Sequence, residues 1–115
     1  MNPRAERALE NMKRNLHRRI TVGELARSVG LSNSRFSHLF KHQYGMPPAK
    51  YLRTLRLEKA SRLLETTLLS IKEIAGQVGY YDGYHFSRDF KRAMGLTPSE
   101  FRTRNWQSAD IRDES

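Results

Sequence analysis

Residues Ile20 to Tyr51 read ITVGELARSVGLSNSRFSHLFKHQYGMPPAKY, and residues Leu69 to Phe101 read LSIKEIAGQVGYYDGYHFSRDFKRAMGLTPSEF. These are two copies of one unit. Ile20, Glu24, Ala26, Val29 and Gly30 return 49 positions later as Leu69, Glu73, Ala75, Val78 and Gly79. Phe36, Ser37, Phe40, Lys41, Gly45, Pro48 and Tyr51 return 50 positions later as Phe86, Ser87, Phe90, Lys91, Gly95, Pro98 and Phe101. The second copy therefore carries one extra residue in the turn after Gly79. So much identity at one period marks a structural repeat.

Each copy spells out its local structure. Thr21 with Glu24, and Ser70 with Glu73, are capping-box pairs that start a short helix bearing Leu25, Ala26 and Val29 or Ile74, Ala75 and Val78. Gly30 and Gly79 stop it as left-handed residues just past the helix end. Ser32 and Asp82 then cap a second helix of about 12 residues, ended by Gly45 and Gly95. Leu31 and Tyr81, one residue ahead of those caps, are placed to staple onto Phe36 and Phe86. A short helix, a glycine turn and a longer helix make a helix-turn-helix.

Outside the repeat, Asn2-Pro3 opens a first helix with Ala5, Leu9, Met12 and Leu16 on one stripe. The triplet His17-Arg18-Arg19 at its end suits either the helix dipole or a phosphate. Between the copies, Pro48 to Thr66 holds no glycine or internal proline and reads as a spacer helix, about 28 Å long at about 1.5 Å per residue. That is nearly one turn of B-DNA, about 34 Å. Thr97-Pro98-Ser99-Glu100 opens a last short helix. There is no strand pattern, so the expected fold is all-α. It divides into a first helix-turn-helix subdomain at 3–46, a linker helix at 47–67, a second subdomain at 68–106 and a flexible polar tail at 107–115.

Composition narrows the partners. The 115 residues contain no cysteine, which excludes disulfides and thiolate metal sites, and 37% are hydrophobic without an apolar run of membrane-spanning length. The amino terminus is charged from its fourth residue and lacks a signal-peptide core, so a cytoplasmic protein off the membrane is expected. A net charge of +9 points to polyanions, and it is spread over every segment rather than gathered on one amphipathic membrane helix.

A recognition helix needs one face to bury and one to read. By spacing, Phe36, Leu39, Phe40 and Tyr44 face inward, while Ser34, Ser37, His38 and Lys41 face outward. In the second copy Phe86, Phe90 and Met94 face inward, and Gly83, Tyr84, Ser87, Arg88 and Lys91 outward. Ser and His suit base edges, and the Arg88 guanidinium matches guanine O6 and N7 bidentately. Lys41, Lys91 and Arg35, with the helix starts at Ser32 and Asp82, are the phosphate candidates. Arg53, Arg56, Lys59 and Arg62 on the spacer either join them or pair with Glu58 and Glu65.

Other readings carry less. His38 and His42 have the spacing of a zinc pair, but no cysteine or third ligand accompanies them. Tyr80 and Tyr81 could stack on unpaired bases, yet their place in the turn favours packing; Trp106 reads as a lid on the last helix. No nucleophile–base pairing, acid cluster or phosphate loop is present, so no enzyme and no cofactor is expected. The alternative is a basic helical protein-interaction or non-specific polyanion-binding module.

From about Ala5 to Arg104 the chain resembles the DNA-binding domain of the AraC/XylS family of bacterial transcription regulators. The likeness rests on LARSVGLSNSRFSHLFKHQYG, on RLEKASRLLETT in the spacer, and above all on IAGQVGYYDGYHFSRDFKRAMGLTPSEFR. The resemblance implies seven helices, two helix-turn-helix subdomains on a rigid helix, and a monomer contacting two adjacent major-groove segments of an asymmetric double-stranded site. It implies base-reading positions at Ser34, Ser37 and His38 and comparable ones at Tyr84, Ser87 and Arg88. It also implies an activator working with RNA polymerase. Many members carry a ligand-sensing or dimerising domain ahead of this one, so the chain is expected to be the carboxy-terminal part of such a protein rather than a stand-alone regulator. Gly83 stands where the family often has glutamine, so that base contact does not carry over. Asp89 replaces the apolar residue of the internal repeat, Leu39, and is open to pairing with Lys91 or Arg92 or to plain exposure.

Overall fold

A computed structural model of the chain describes residues 2–114, with side chains described through residue 107. It contains seven helices and, among the described residues, no strand: α1 Pro3–Arg14, α2 Val22–Ser28, α3 Asn33–Tyr44, α4 Pro48–Thr66, α5 Ile71–Gln77, α6 Gly83–Met94 and α7 Pro98–Glu114. None of them is long and apolar enough to cross a membrane. The last helix, expected to be short, runs as α7 to Glu114 and so through most of the flexible tail expected at 107–115, whose side chains from residue 108 on lie outside those described.

The chain forms two compact units, Met1–Arg56 and Leu57–Ser115, and their boundary falls inside α4. In the first unit, Ala8, Met12, Leu16, Ile20, Leu25, Ala26, Val29, Phe36, Phe40 and Leu52 form one core. In the second, Leu57, Ala60, Leu64, Ile74, Ala75, Val78, Phe86 and Phe90 do so. The repeat thus predicts the cores: each buried position of α2 and α3 has its buried counterpart in α5 and α6. Leu57, Ala60 and Leu64 repeat the spacing of Ala5, Ala8 and Met12, all buried. The second half of α4 therefore does for the second unit what α1 does for the first. This changes the part given to α4 by the sequence: it is structural wall at both ends, with Leu52 in one core and Leu64 in the other, and not a bare spacer.

The helix ends follow local chemistry. After α2, Gly30 donates to the Arg27 carbonyl at 3.1 Å and Leu31 to the Ala26 carbonyl at 2.9 Å, a Schellman closure with Gly30 at φ +73°. After α5 the same pair of bonds runs from Gly79 to Gly76 and from Tyr80 to Ala75, with Gly79 at φ +84°. Tyr80, then, is the counterpart of Leu31, and its ring lies 5.4 Å from that of Phe86. Tyr81 is the extra residue and stands 76% exposed, which corrects the staple expected of it. Met94 is also displaced from its expected inward face, at 36% exposure, whereas its counterpart Tyr44 packs 4.7 Å from Phe40.

Ser70 and Glu73 form the complete capping box, with the Glu73 amide donating to the Ser70 hydroxyl at 3.0 Å and the Ser70 amide to the Glu73 carboxylate at 3.1 Å. Thr97 and Glu100 form another, at 3.1 and 3.0 Å. Thr21 makes only its own half, accepting from the Glu24 amide at 3.1 Å, and the Glu24 carboxylate lies 3.9 Å from Arg18 instead. The Ser70 amide and hydroxyl hold Glu73 below the ordinary carboxylate range, as Thr97 does for Glu100. A carboxylate depressed in the folded state stabilises above its unfolded pKa and loses that contribution as pH falls through the folded value. Acidification from about pH 5 to about pH 2 is therefore expected to weaken the second unit, and Glu73→Gln and Glu100→Gln together to flatten the slope. Urea midpoints across that window check this; an unchanged slope in the double variant contradicts it.

Candidate nucleic-acid interface

Phe36 and Phe40 seat α3 on the first core and thereby turn its opposite face outward. Ser34, Arg35, His38 and Lys41 are exposed there, and Ser37 is half-buried between the two faces. Ser32 is engaged in capping, accepting from the Arg35 amide at 3.2 Å, so at this end of α3 the backbone amides are what a phosphate would meet.

The tertiary fold adds residues that the repeat does not announce. The Asn2 amide donates to the Gln43 side-chain oxygen at 2.8 Å, pinning the start of α1 beside the end of α3 across 41 positions of sequence. This brings Arg4 and Arg7 to a groove of about 730 Å³ shared with Arg35, His38, Leu39 and His42. No acid lines it. The signal for Arg4 and Arg7 was present in their i, i+3 spacing beside the buried Ala5–Ala8–Met12 stripe, but which neighbour they face depends on how α1 packs.

In the second unit, Phe86 and Phe90 seat α6 in the same way. Tyr84 is 72% exposed, Arg88 and Lys91 are exposed, and Ser87 is half-buried. The start of α6 differs from that of α3. The Asp82 carboxylate accepts from the His85 amide at 2.8 Å and lies 2.8 and 2.9 Å from the His85 ring nitrogen Nδ1. Those two contacts, the amide first, hold Asp82 below the ordinary carboxylate range. A negative charge at this point repels phosphate, so only the backbone amides of this helix start could serve one.

Asp89, for which the sequence offered Lys91, Arg92 or plain exposure, instead accepts from the Tyr80 hydroxyl at 2.9 Å and lies 3.6 Å from Arg88 Nε, its side chain 18% exposed. Trp106 takes the guanidinium of Arg102 at 5.4 Å from its ring, while Arg102 donates to the carbonyls of Leu64 and Thr67 at 3.3 Å and so closes the end of α4. Of the spacer cations, Arg56 is spent on structure: it donates to the Arg18 carbonyl at 2.7 Å.

Two outward helices of this composition, each the second member of a helix-turn-helix, are the arrangement that reads a major groove. A helix-turn-helix domain profile matches residues 25–104, across both units. The chain belongs to the AraC/XylS family of transcription regulators, as their helix-turn-helix DNA-binding domain. The family is one of regulators, not enzymes. Over 102 residues it is 35% identical to the lactose operon transcription activator of Staphylococcus xylosus, covering 89% of this chain and 37% of that protein. It is 41% identical to the arabinose operon regulatory protein of Escherichia coli over 81 residues, 70% of this chain and 28% of the other. The chain thus spans about a third of the length of these AraC/XylS relatives.

Solved structures agree. The carboxy-terminal domain of AraT, a response regulator from Geobacillus stearothermophilus, superposes with a TM-score of 0.86 at 33% identity, over 89% of this chain and 85% of that one. The DNA-binding domain of the global transcriptional factor AdpA, solved with a target DNA, gives 0.84 at 31% identity, over 90% and 92%.

Proposed function

We propose that this AraC/XylS domain binds specific double-stranded DNA sites through α3 and α6. Ser34, Ser37 and His38 read bases from the first helix, and Tyr84, Ser87 and Arg88 from the second. Lys41, Lys91, Arg35 and the backbone at Ser32 and Asp82 set the register on phosphates, joined by Arg4 and Arg7. The supporting observation is that both outward faces carry donors and cations over fully buried phenylalanines, in a fold shared with a domain solved on its target DNA. The chain acts in the cytoplasm as the carboxy-terminal part of a longer, effector-responsive activator that engages RNA polymerase. It binds as a monomer on its own and dimerises through a preceding domain.

Selection from a random duplex pool, followed by footprinting, tests this. Two enriched blocks of base pairs, one lost with α3 variants and the other with α6 variants, are expected. Binding that never discriminates among duplexes would instead fit a polyanion-binding module. His38→Ala is expected to cost about 1–3 kcal/mol on the selected site and to relax preference at particular base pairs. An equal loss on scrambled duplexes, measured by anisotropy titration, would remove His38 from the reading set.

A further inference from the structure

We infer that Asp89 is a positioning residue that sets the Arg88 guanidinium for base reading, and that Tyr80 anchors it. The inference rests on the reading of α6 as a base-contacting helix. Asp89 sits where the first unit has Leu39, so the carboxylate is a feature of the second unit alone. Its side chain is 18% exposed, which fits a group held against the protein rather than waving in solvent. Tyr80 supplies the hold: its hydroxyl donates to Asp89 Oδ2 at 2.9 Å, while its ring packs on the buried Phe86. The Schellman turn fixes the Tyr80 backbone in turn, through its amide bond to Ala75 at 2.9 Å.

With one oxygen held by Tyr80, the other faces Arg88 Nε at 3.6 Å. Neighbouring helix positions diverge, yet Arg88 Nε lies within ion-pair reach of the carboxylate, so the guanidinium is turned toward it. The carboxylate therefore decides where the guanidinium rests. An acceptor beside Nε leaves the two terminal nitrogens to the outside, and these form the fork that matches guanine O6 and N7. A pre-oriented arginine loses less freedom on binding than a mobile one. The extra turn residue fits the same account: it carries Tyr81 outward while Tyr80 keeps the inner place from which its hydroxyl reaches Asp89.

The test uses Asp89→Asn, Asp89→Leu and Tyr80→Phe, each also in an Arg88→Ala background. Asp89→Asn keeps one oxygen for Tyr80 but loses the charge that draws Arg88; Asp89→Leu installs the first unit's residue. Affinities are measured on the selected duplex and on duplexes changed at single base pairs. Each Asp89 variant is expected to lose about 10-fold of discrimination at the base pair read by Arg88 and little elsewhere. Tyr80→Phe should lose up to about 5-fold there. In the Arg88→Ala background neither change should alter discrimination further. Wild-type discrimination by Asp89→Asn, a loss spread over all base pairs, or an equal loss without Arg88 would each overturn the inference. If the wild type discriminates but Arg88→Ala costs nothing at any base pair, this inference falls while the DNA reading stands. If the wild type prefers no duplex, both fall.

Discussion

Phe40→Ala is expected to cost about 3–5 kcal/mol of folding stability. The ring is fully buried and stands at the centre of an aromatic cluster, 5.7 Å from Phe36, 4.7 Å from Tyr44 and 5.4 Å edge-on from Tyr51. Truncation removes the transfer term, leaves a cavity that three rigid rings cannot collapse into, and forfeits pair geometries worth about 0.5–1.5 kcal/mol each. Against a total of about 5–15 kcal/mol for an ordinary domain, and less for so small a unit, that is enough to unfold the first unit under mild conditions. The functional consequence follows directly, because α3 is held outward by Phe36 and Phe40. Denaturant unfolding checks the figure, and Phe40→Leu should recover more than half of the loss. A cost below about 1 kcal/mol would mean that the cluster is not the keystone of this core.

Affinity for DNA should fall steeply with salt. Arg4, Arg7, Arg35, Lys41 and Lys91 are the cations assigned to phosphate, and if each displaces one condensed counterion the slope of log K against log salt is about −4.5. A rise from about 50 to about 200 mM then costs about 500-fold. Lys41→Ala and Lys91→Ala should each shallow the slope by about 0.9 and weaken binding alike on selected and scrambled duplexes, which separates them from His38 and Arg88. Arg4→Ala is the sharper probe, since its place beside α3 is known only from the packing of α1. A slope unchanged by Arg4→Ala would leave that arginine out of the interface. A slope shallower than about −2 in the wild type would mean that most of the assigned cations are solvated.

Much of this protein was legible before any coordinates. Ser32, Ser70, Asp82, Thr97 and the glycines after α2, α3, α5 and α6 act within four residues of themselves, so local chemistry suffices to place each helix end. The repeat did more, because equal spacing of Phe36 and Phe40 with Phe86 and Phe90 demands the same burial twice. The outward faces followed as the remainder of the helical wheel.

Sequence alone therefore determined the all-α class, the two helix-turn-helix units, the buried phenylalanines and the outward placement of Ser34, His38, Lys41, Tyr84, Arg88 and Lys91, while Ser37 and Ser87, expected with them, are half-buried. Tertiary structure decided what depends on neighbours remote in the chain. Only packing shows that α4 gives Leu52 to one core and Leu64 to the other, since each leucine reads alike on an isolated helix. Only packing brings Arg4 to the groove that His38 lines, with a bond from Asn2 to Gln43 pinning α1 there, and only the turn geometry makes Tyr80 rather than Tyr81 the partner of Phe86 and of Asp89. The physical reason is range. Caps, glycines and helical periodicity are satisfied by residues within about one turn, whereas a side chain with several open directions takes the one that the surrounding core leaves it.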